Sequence, residues 1–139
     1  MYWIEQVQST HFPSIYQFLS NKITHLDKDS KQFIKDLGLY LDESFDIVRS
    51  RGRLHHASID LDTKFPILIP TKSHLAYLLT IHAHEKCFHG GVQETLLHVR
   101  MHYWMPKCRQ TIETILSHCA TCRRIEGRKF DYSGPTTIA

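Results

Sequence analysis

The sequence predicts an α+β chain with a small helix-plus-β-hairpin unit over residues 1–70, a helical unit over 71–124 and a linker or tail over 125–139. Three observations carry that reading. Apolar residues recur at helical spacing over 2–21, whereas residues 45–50 alternate and 65–70 form a short apolar run bounded by prolines. From Thr71 the helical period returns and persists to residue 119. All four cysteines, and seven of the eleven histidines, lie after residue 70.

Trp3, Ile4 and Val7, then Ile15, Phe18 and Leu19, mark helix over 2–21, interrupted at Pro13, with Thr10 or Ser14 as a cap for the second segment. Residues 30–36 add a helical turn capped by Asp29 or Ser30, with Phe33 and Ile34 inward. Phe45, Ile47 and Arg49 alternate with Asp46, Val48 and Ser50 ahead of Arg51-Gly-Arg-Leu54, which reads as a strand broken by a glycine turn. Phe65-Pro-Ile-Leu-Ile-Pro70 suits a strand at a sheet edge, because Pro66 has no N–H to donate to a ladder. Leu75, Leu78, Leu79 and His82 predict a helix capped by Thr71 or Ser73 and ended by Gly90-Gly91. Val92, Leu96, Val99 and Tyr103 stripe a second helix. Pro106 opens a third, with Cys108, Ile112, Ile115, Leu116 and Cys119 on one face.

Composition excludes several classes. With 42% hydrophobic and 22% charged residues the 139-residue chain can fold, and no apolar run reaches the ~18–20 residues of a membrane span. No secretion signal is visible behind Met1, and eleven histidines against four cysteines do not make a disulfide scaffold. An intracellular setting, nuclear or cytoplasmic, is expected. Residues 1–70 hold eight Lys/Arg against nine Asp/Glu, and residues 71–139 hold nine against five.

The strongest chemical signal is His84-x4-His89, 29 intervening residues, then Cys119-x2-Cys122. Two imidazoles and two thiolates make a tetrahedral, doubly anionic set suited to structural Zn²⁺, one per chain. The histidine pair converges when the first closes a helix and the second lies just beyond it. Cys-x2-Cys also serves redox dithiols, but that use needs a strand-then-helix setting, and Cys119 is read at the end of a helix. His82 and His118 are competing ligands, His98 and His102 form a weaker second pair, and Cys87 and Cys108 read as buried thiols. A unit of about 54 residues needs such a staple. Chelation is therefore expected to melt 71–124 and to affect residues 1–70 less.

His84-Glu-Lys-Cys-Phe-His89-Gly-Gly-Val-Gln-Glu-Thr95-Leu96, with Val99-Arg100, Tyr103-Trp104, Pro106, Arg109 and Cys119-Ala-Thr-Cys122-Arg-Arg124, resembles the N-terminal His-His-Cys-Cys domain of retroviral and LTR-retrotransposon integrases. The likeness is to the BEL/Pao class in particular. Upstream, Trp3-Ile4 with Val7-Gln8, Leu41-Asp42, Val48 to Leu54 and Pro66 to Pro70 are similar to that class and collinear with the zinc motif. The resemblance implies an N-terminal extension unit followed by a zinc-stabilised bundle of three to four helices with helix-turn-helix-like character. It also implies binding to element DNA ends and support of integrase multimers, while catalysis belongs to a following RNase H-like core. The chain stops at Ala139, where that core would begin, so no enzyme activity is expected of it.

A non-catalytic, DNA-binding zinc module is the leading expectation. Arg100, Lys107, Arg109, Arg123, Arg124, Arg128 and Lys129 face only Glu113 and Glu126 between 98 and 129, a net of +5 suited to phosphate contacts. The expected partners are DNA and either a second copy or a separate integrase core, with no membrane and no small-molecule substrate. The alternative is a domesticated zinc-dependent protein-interaction module without DNA binding. An enzyme using Cys87 or Cys108 as nucleophile would need a low-pKa thiol.

Overall fold

The computed structural model describes residues 2–51 and 58–125. Most of the Arg51–Leu54 turn and the tail from residue 126, with Arg128 and Lys129, lie outside them. In chain order the described elements are helices α1 (Tyr2–His11), α2 (Pro13–Leu19) and α3 (Lys28–Leu37), strands β1 (Leu39–Asp42) and β2 (Ile47–Ser50), the short helix α4 (Leu61–Lys64), strand β3 (Ile67–Leu68), helices α5 (His74–Lys86) and α6 (Val92–Arg100), strand β4 (Tyr103–Trp104), and helices α7 (Cys108–Leu116) and α8 (Ala120–Ile125). The α+β class holds, with four of the described helices in the second half.

Pro13 divides the first helical stretch as expected. It opens α2 at its first turn, and the cap position falls on Phe12 without a side-chain hydrogen bond, not on Thr10 or Ser14. Helix α3 starts two residues earlier than its apolar pattern indicated, because Asp27 caps it by accepting from the Ser30 backbone N–H at 2.9 Å. The hydrogen bonds from Ser30 hold the Asp27 carboxyl below its usual value. Gly38 ends α3 in the left-handed conformation, φ +60°, and a Cβ there would lie 3.1 Å from the Arg51 carbonyl oxygen. Gly38→Ala is therefore expected to destabilise by at least about 1 kcal/mol. A lower urea midpoint at unchanged slope would register it.

The hairpin differs from expectation. Its strands are β1 and β2, paired antiparallel from Leu39↔Ser50 to Asp42↔Ile47. The turn lies at residues 43–46, ahead of the glycine, where the Asp42 carboxylate accepts from the Ser44 N–H at 3.0 Å and Asp46 takes φ +53°. The sheet order is β1-β2-β3-β4, so β3 is interior and not an edge strand. Pro66 sits just outside β3, where only its carbonyl is used, accepting from Ser50 N–H at 2.9 Å. Ile67 and Ile69 donate their N–H groups to the His102 and Trp104 carbonyls at 3.0 and 2.8 Å, which makes the β3–β4 pair parallel.

All four residues of β2 are buried, and the sheet has a core on each face. Ile47, Ile67 and Ile69 pack with Ala83, Leu96, Val99, Met105, Cys108, Ile112 and Leu116. Val48, Leu68 and Leu39 pack with Ile15 and Tyr16, flanked by Phe33 and Ile34. Period-2 alternation along β2 and β3 assigns neighbouring residues to opposite cores. Both the sheet and the first of these cores thus draw on chain from either side of residue 70.

Gln8 ties α1 to this sheet. Only one register pair, Arg49↔Ile67, joins β2 to β3. Beside it the buried Gln8 amide donates to the Val48 and Leu68 carbonyls at 2.9 and 2.7 Å and accepts from the Val48 N–H at 2.7 Å. The amide thus bridges the Val48 N–H and the Leu68 carbonyl in place of a direct ladder bond. Arg49, 7% exposed, is also satisfied, by Asp42 at 2.8 Å, Asp62 at 3.3 Å and the Phe65 carbonyl at 3.0 Å.

Candidate metal centre

Ser73 caps α5, accepting from the Ala76 N–H at 3.1 Å. The buried face of the helix is Ala76, Thr80, Ala83 and His84, while Leu75 and Leu79 flank it and Leu78 and His82 are exposed. The leucine stripe read from the sequence is displaced because small residues on the inner face admit α6 and α7 closely. His84 lies in the last turn of α5, with its ring 1% exposed against the start of α6.

The chain then reverses sharply. Phe88 and His89 take φ +53° and +58°, both left-handed, and the His89 N–H donates to the His84 carbonyl at 3.0 Å. Two successive non-glycine residues in that conformation are costly, of order 1 kcal/mol each. The reversal carries the His89 ring back to 4.4 Å, centroid to centroid, from the His84 ring at an interplanar angle of 85°. Gly91, φ +98°, then lets α6 begin at Val92.

From the other side, α7 presents Cys108, Ile112 and Leu116 to the core. Cys119 does not close that helix. It precedes Ala120, the first residue of α8, and Cys122 lies on the first turn of α8. Cys119 therefore stands at a helix start, and its position no longer weighs against a redox pair. The setting still does: a helix, not a strand, leads into α8, and both sulfurs face imidazoles.

Four donors converge. His84 Nε2 lies 2.9 Å from His89 Nδ1 and 3.1 Å from Cys122 Sγ, and His89 Nδ1 lies 3.5 Å from Cys119 Sγ and 3.8 Å from Cys122 Sγ. All four donor atoms fall within 4.8 Å of one another. A tetrahedral Zn²⁺ with ordinary Zn–N and Zn–S bonds has donor–donor edges of about 3.3–3.8 Å. Two imidazole nitrogens and two thiols at this spacing fit one such ion. His84 Nδ1 faces away from it, 3.2 Å from Thr95 Oγ1.

Residues 69–128 match the family model of the integrase zinc binding domain. Over this stretch the chain matches a zinc binding domain, and the donor set of His84, His89, Cys119 and Cys122 suits one Zn²⁺. Neither the curated proteins nor the solved structures compared with it gave a match.

Neither His98, half-buried, nor the exposed His82 and His118 joins the four donors, and other histidines and cysteines of residues 69–128 have settings of their own. His102, half-buried, turns to Asp62, 3.7 Å away, and Asp62 is shared with Arg49, so the Asp60, Asp62 and His102 group already has a use in polar contacts with its neighbours. Cys108 is buried, whereas Cys87, expected to be buried, is only half-buried; loss of solvation pushes both thiols up, away from the low pKa a nucleophile needs. Tyr103, read from the sequence as the end of a helical stripe, is half-buried on β4.

The basic residues expected to meet DNA are separated by their surroundings. Arg109 is held by Glu113 at 3.2 Å and Gln93 at 3.1 Å. Arg100 reaches over the Trp104 ring, 6.0 Å from its centroid. Lys107 occupies the cap position of α7 in a left-handed conformation. Arg123 and Arg124 are exposed in the last turn of α8. Lys72, not singled out in the sequence, lines a groove of about 510 Å³ with Lys107, Thr71, Gln110 and Thr111, and among the described residues no carboxylate lines it. Its position next to the α5 cap was the available signal. Among the described residues no helix is long and apolar enough to cross a membrane.

Proposed function

We propose that this chain is the non-catalytic zinc module of a retrotransposon-type integrase, that it binds the DNA ends of the element through their phosphates, and that it supports assembly of integrase multimers in the cell nucleus. The observation that carries the DNA reading is the set of cations left to solvent on the zinc-held scaffold. Among the described residues, Arg100, Lys107, Arg123 and Arg124 make no ion pair with a carboxylate, and Lys107 shares its groove with Lys72. Arg128 and Lys129 extend the same basic segment in sequence. Such contacts position a duplex without reading its bases.

Titration of a labelled duplex between 50 and 200 mM salt tests this. Each lost phosphate contact lowers the slope of log K against log salt by about 0.9. Arg123→Gln with Arg124→Gln, and Lys107→Gln, are expected to lower the slope. Arg109→Gln is expected to leave it near that of the unaltered chain, because Arg109 is already engaged. An affinity indifferent to salt overturns the reading.

Exposed apolar side chains favour assembly as a second role, and would serve a domesticated interaction module that has lost DNA. Phe88, at the tip of the zinc loop, is 92% exposed, and Leu97 and Met101 on and just after α6 are about half exposed. Solution mass with and without zinc, measured beside the DNA titration, separates the two roles.

A further inference from the structure

We infer that Thr95 is a positioning residue for the metal, fixing which nitrogen of His84 is offered to zinc. Thr95 is on the first turns of α6 with 0% exposure, and His84 is 1% exposed, so the contact between them is closed to solvent. Thr95 Oγ1 makes two contacts. One is to the Gly91 carbonyl at 2.7 Å, and the other is to His84 Nδ1 at 3.2 Å. A hydroxyl has one hydrogen, and a carbonyl can only accept. The Thr95 hydrogen is therefore spent on Gly91, and its oxygen lone pair accepts from His84 Nδ1–H. A neutral imidazole protonated at Nδ1 presents a bare lone pair at Nε2. Nε2 is the atom facing His89 Nδ1 and Cys122 Sγ.

The same hydroxyl reaches the turn that starts α6. Gly91 O also accepts from the Thr95 N–H at 3.1 Å, so the ring of His84, the Thr95 hydroxyl and the Gly91 carbonyl form one relay between the metal and the α5–α6 connection. Outer partners of this kind hold a ligand ring in its tautomer and orientation, and their removal weakens metal affinity by about 10–100-fold. Valine has the shape of threonine without the hydroxyl, and serine keeps the hydroxyl without the methyl.

This inference rests on the four-ligand zinc reading, so zinc content is measured first, on the unaltered chain. A chain purified without zinc overturns the centre itself. With one zinc bound, chelator competition is expected to show Thr95→Val binding Zn²⁺ about 10–100-fold more weakly and Thr95→Ser restoring most of the affinity. Long-range ¹H–¹⁵N spectra of the unaltered zinc-loaded chain are expected to place the His84 proton on Nδ1, exchanging slowly with solvent. A role in core packing alone would not dictate that proton's position. A proton on Nε2, or Thr95→Val holding zinc as tightly as the unaltered chain, overturns the proposal. Should Thr95→Val fail to fold, the spectrum of the unaltered chain and the Thr95→Ser affinity decide.

Discussion

Stripping zinc from this chain is expected to unfold more than the helices that hold it. A structural zinc site contributes an apparent ~10–16 kcal/mol at neutral pH, comparable to or larger than the ~5–15 kcal/mol by which a domain is stable. The four donors tie the end of α5 to the start of α8 across 29 intervening residues. Without the ion, two thiols and two imidazoles remain crowded with no metal bonds to fix their spacing. Sequence reasoning alone places most of the damage in 71–124. The structure extends it, because β4 pairs with β3 and the core beneath the bundle includes Ile47, Ile67 and Ile69. Far-UV circular dichroism should lose helix on chelation, and amide exchange should accelerate at Val48 and Ile67 together with Leu96 and Ile112. His89→Ala and Cys119→Ser should behave like the chelated chain. Unchanged helix content after the zinc is gone would exclude a structural role for the ion.

The second large effect is expected far from the metal. Gln8→Met retains roughly the volume and flexibility of glutamine but removes all three amide contacts to β2 and β3. It strands the Val48 N–H and the Leu68 carbonyl in a buried setting, where each unpaired group costs about 1–3 kcal/mol. A loss of about 3–5 kcal/mol is expected, a large fraction of the whole stability. Gln8→Glu should be no milder, since a carboxylate keeps the acceptor but turns charge toward two carbonyl oxygens. Urea unfolding of the zinc-loaded variants measures both. A shift under about 1 kcal/mol for Gln8→Met would mean that water or the strands themselves take over the ladder.

Gln8 shows why local pattern reading has a limit. In sequence it is one polar residue between Val7 and Ser9 on a helix with exposed Tyr2 and Trp3. Its partners are 40 and 60 residues away. Thr95 was illegible for the same reason: its neighbours Val92, Leu96 and Val99 announced a helix face, but the bond to His84 depends on two helices meeting. Strand β4 was hidden inside an apparent helical stripe because two residues carry no period of their own. The edge assignment of Pro66-bounded β3 failed because proline's missing N–H matters only at a ladder position, and Pro66 stands one residue outside it.

Short-range chemistry, by contrast, was readable. Pro13 marked the break in the first helix, Ser73 was one of the two caps offered for α5, and the Gly90-Gly91 pair marked the connection to α6, although α5 itself ends at Lys86, since each acts within a few residues of itself. The metal donors were readable as types and spacings, because zinc imposes its own short distances on whatever chain supplies them. By itself, then, the sequence determined the α+β class, the starts of the larger helices to within a few residues and a set of four candidate donors, while the short helices α4 and α8 carried no pattern of their own. Only the tertiary structure decided that β2 and β3 are buried on both faces, that β4 joins them in one sheet, that Gln8 completes the ladder and that Thr95 stands behind His84. Those features are agreements between distant segments, and they exist only once burial has brought the segments together.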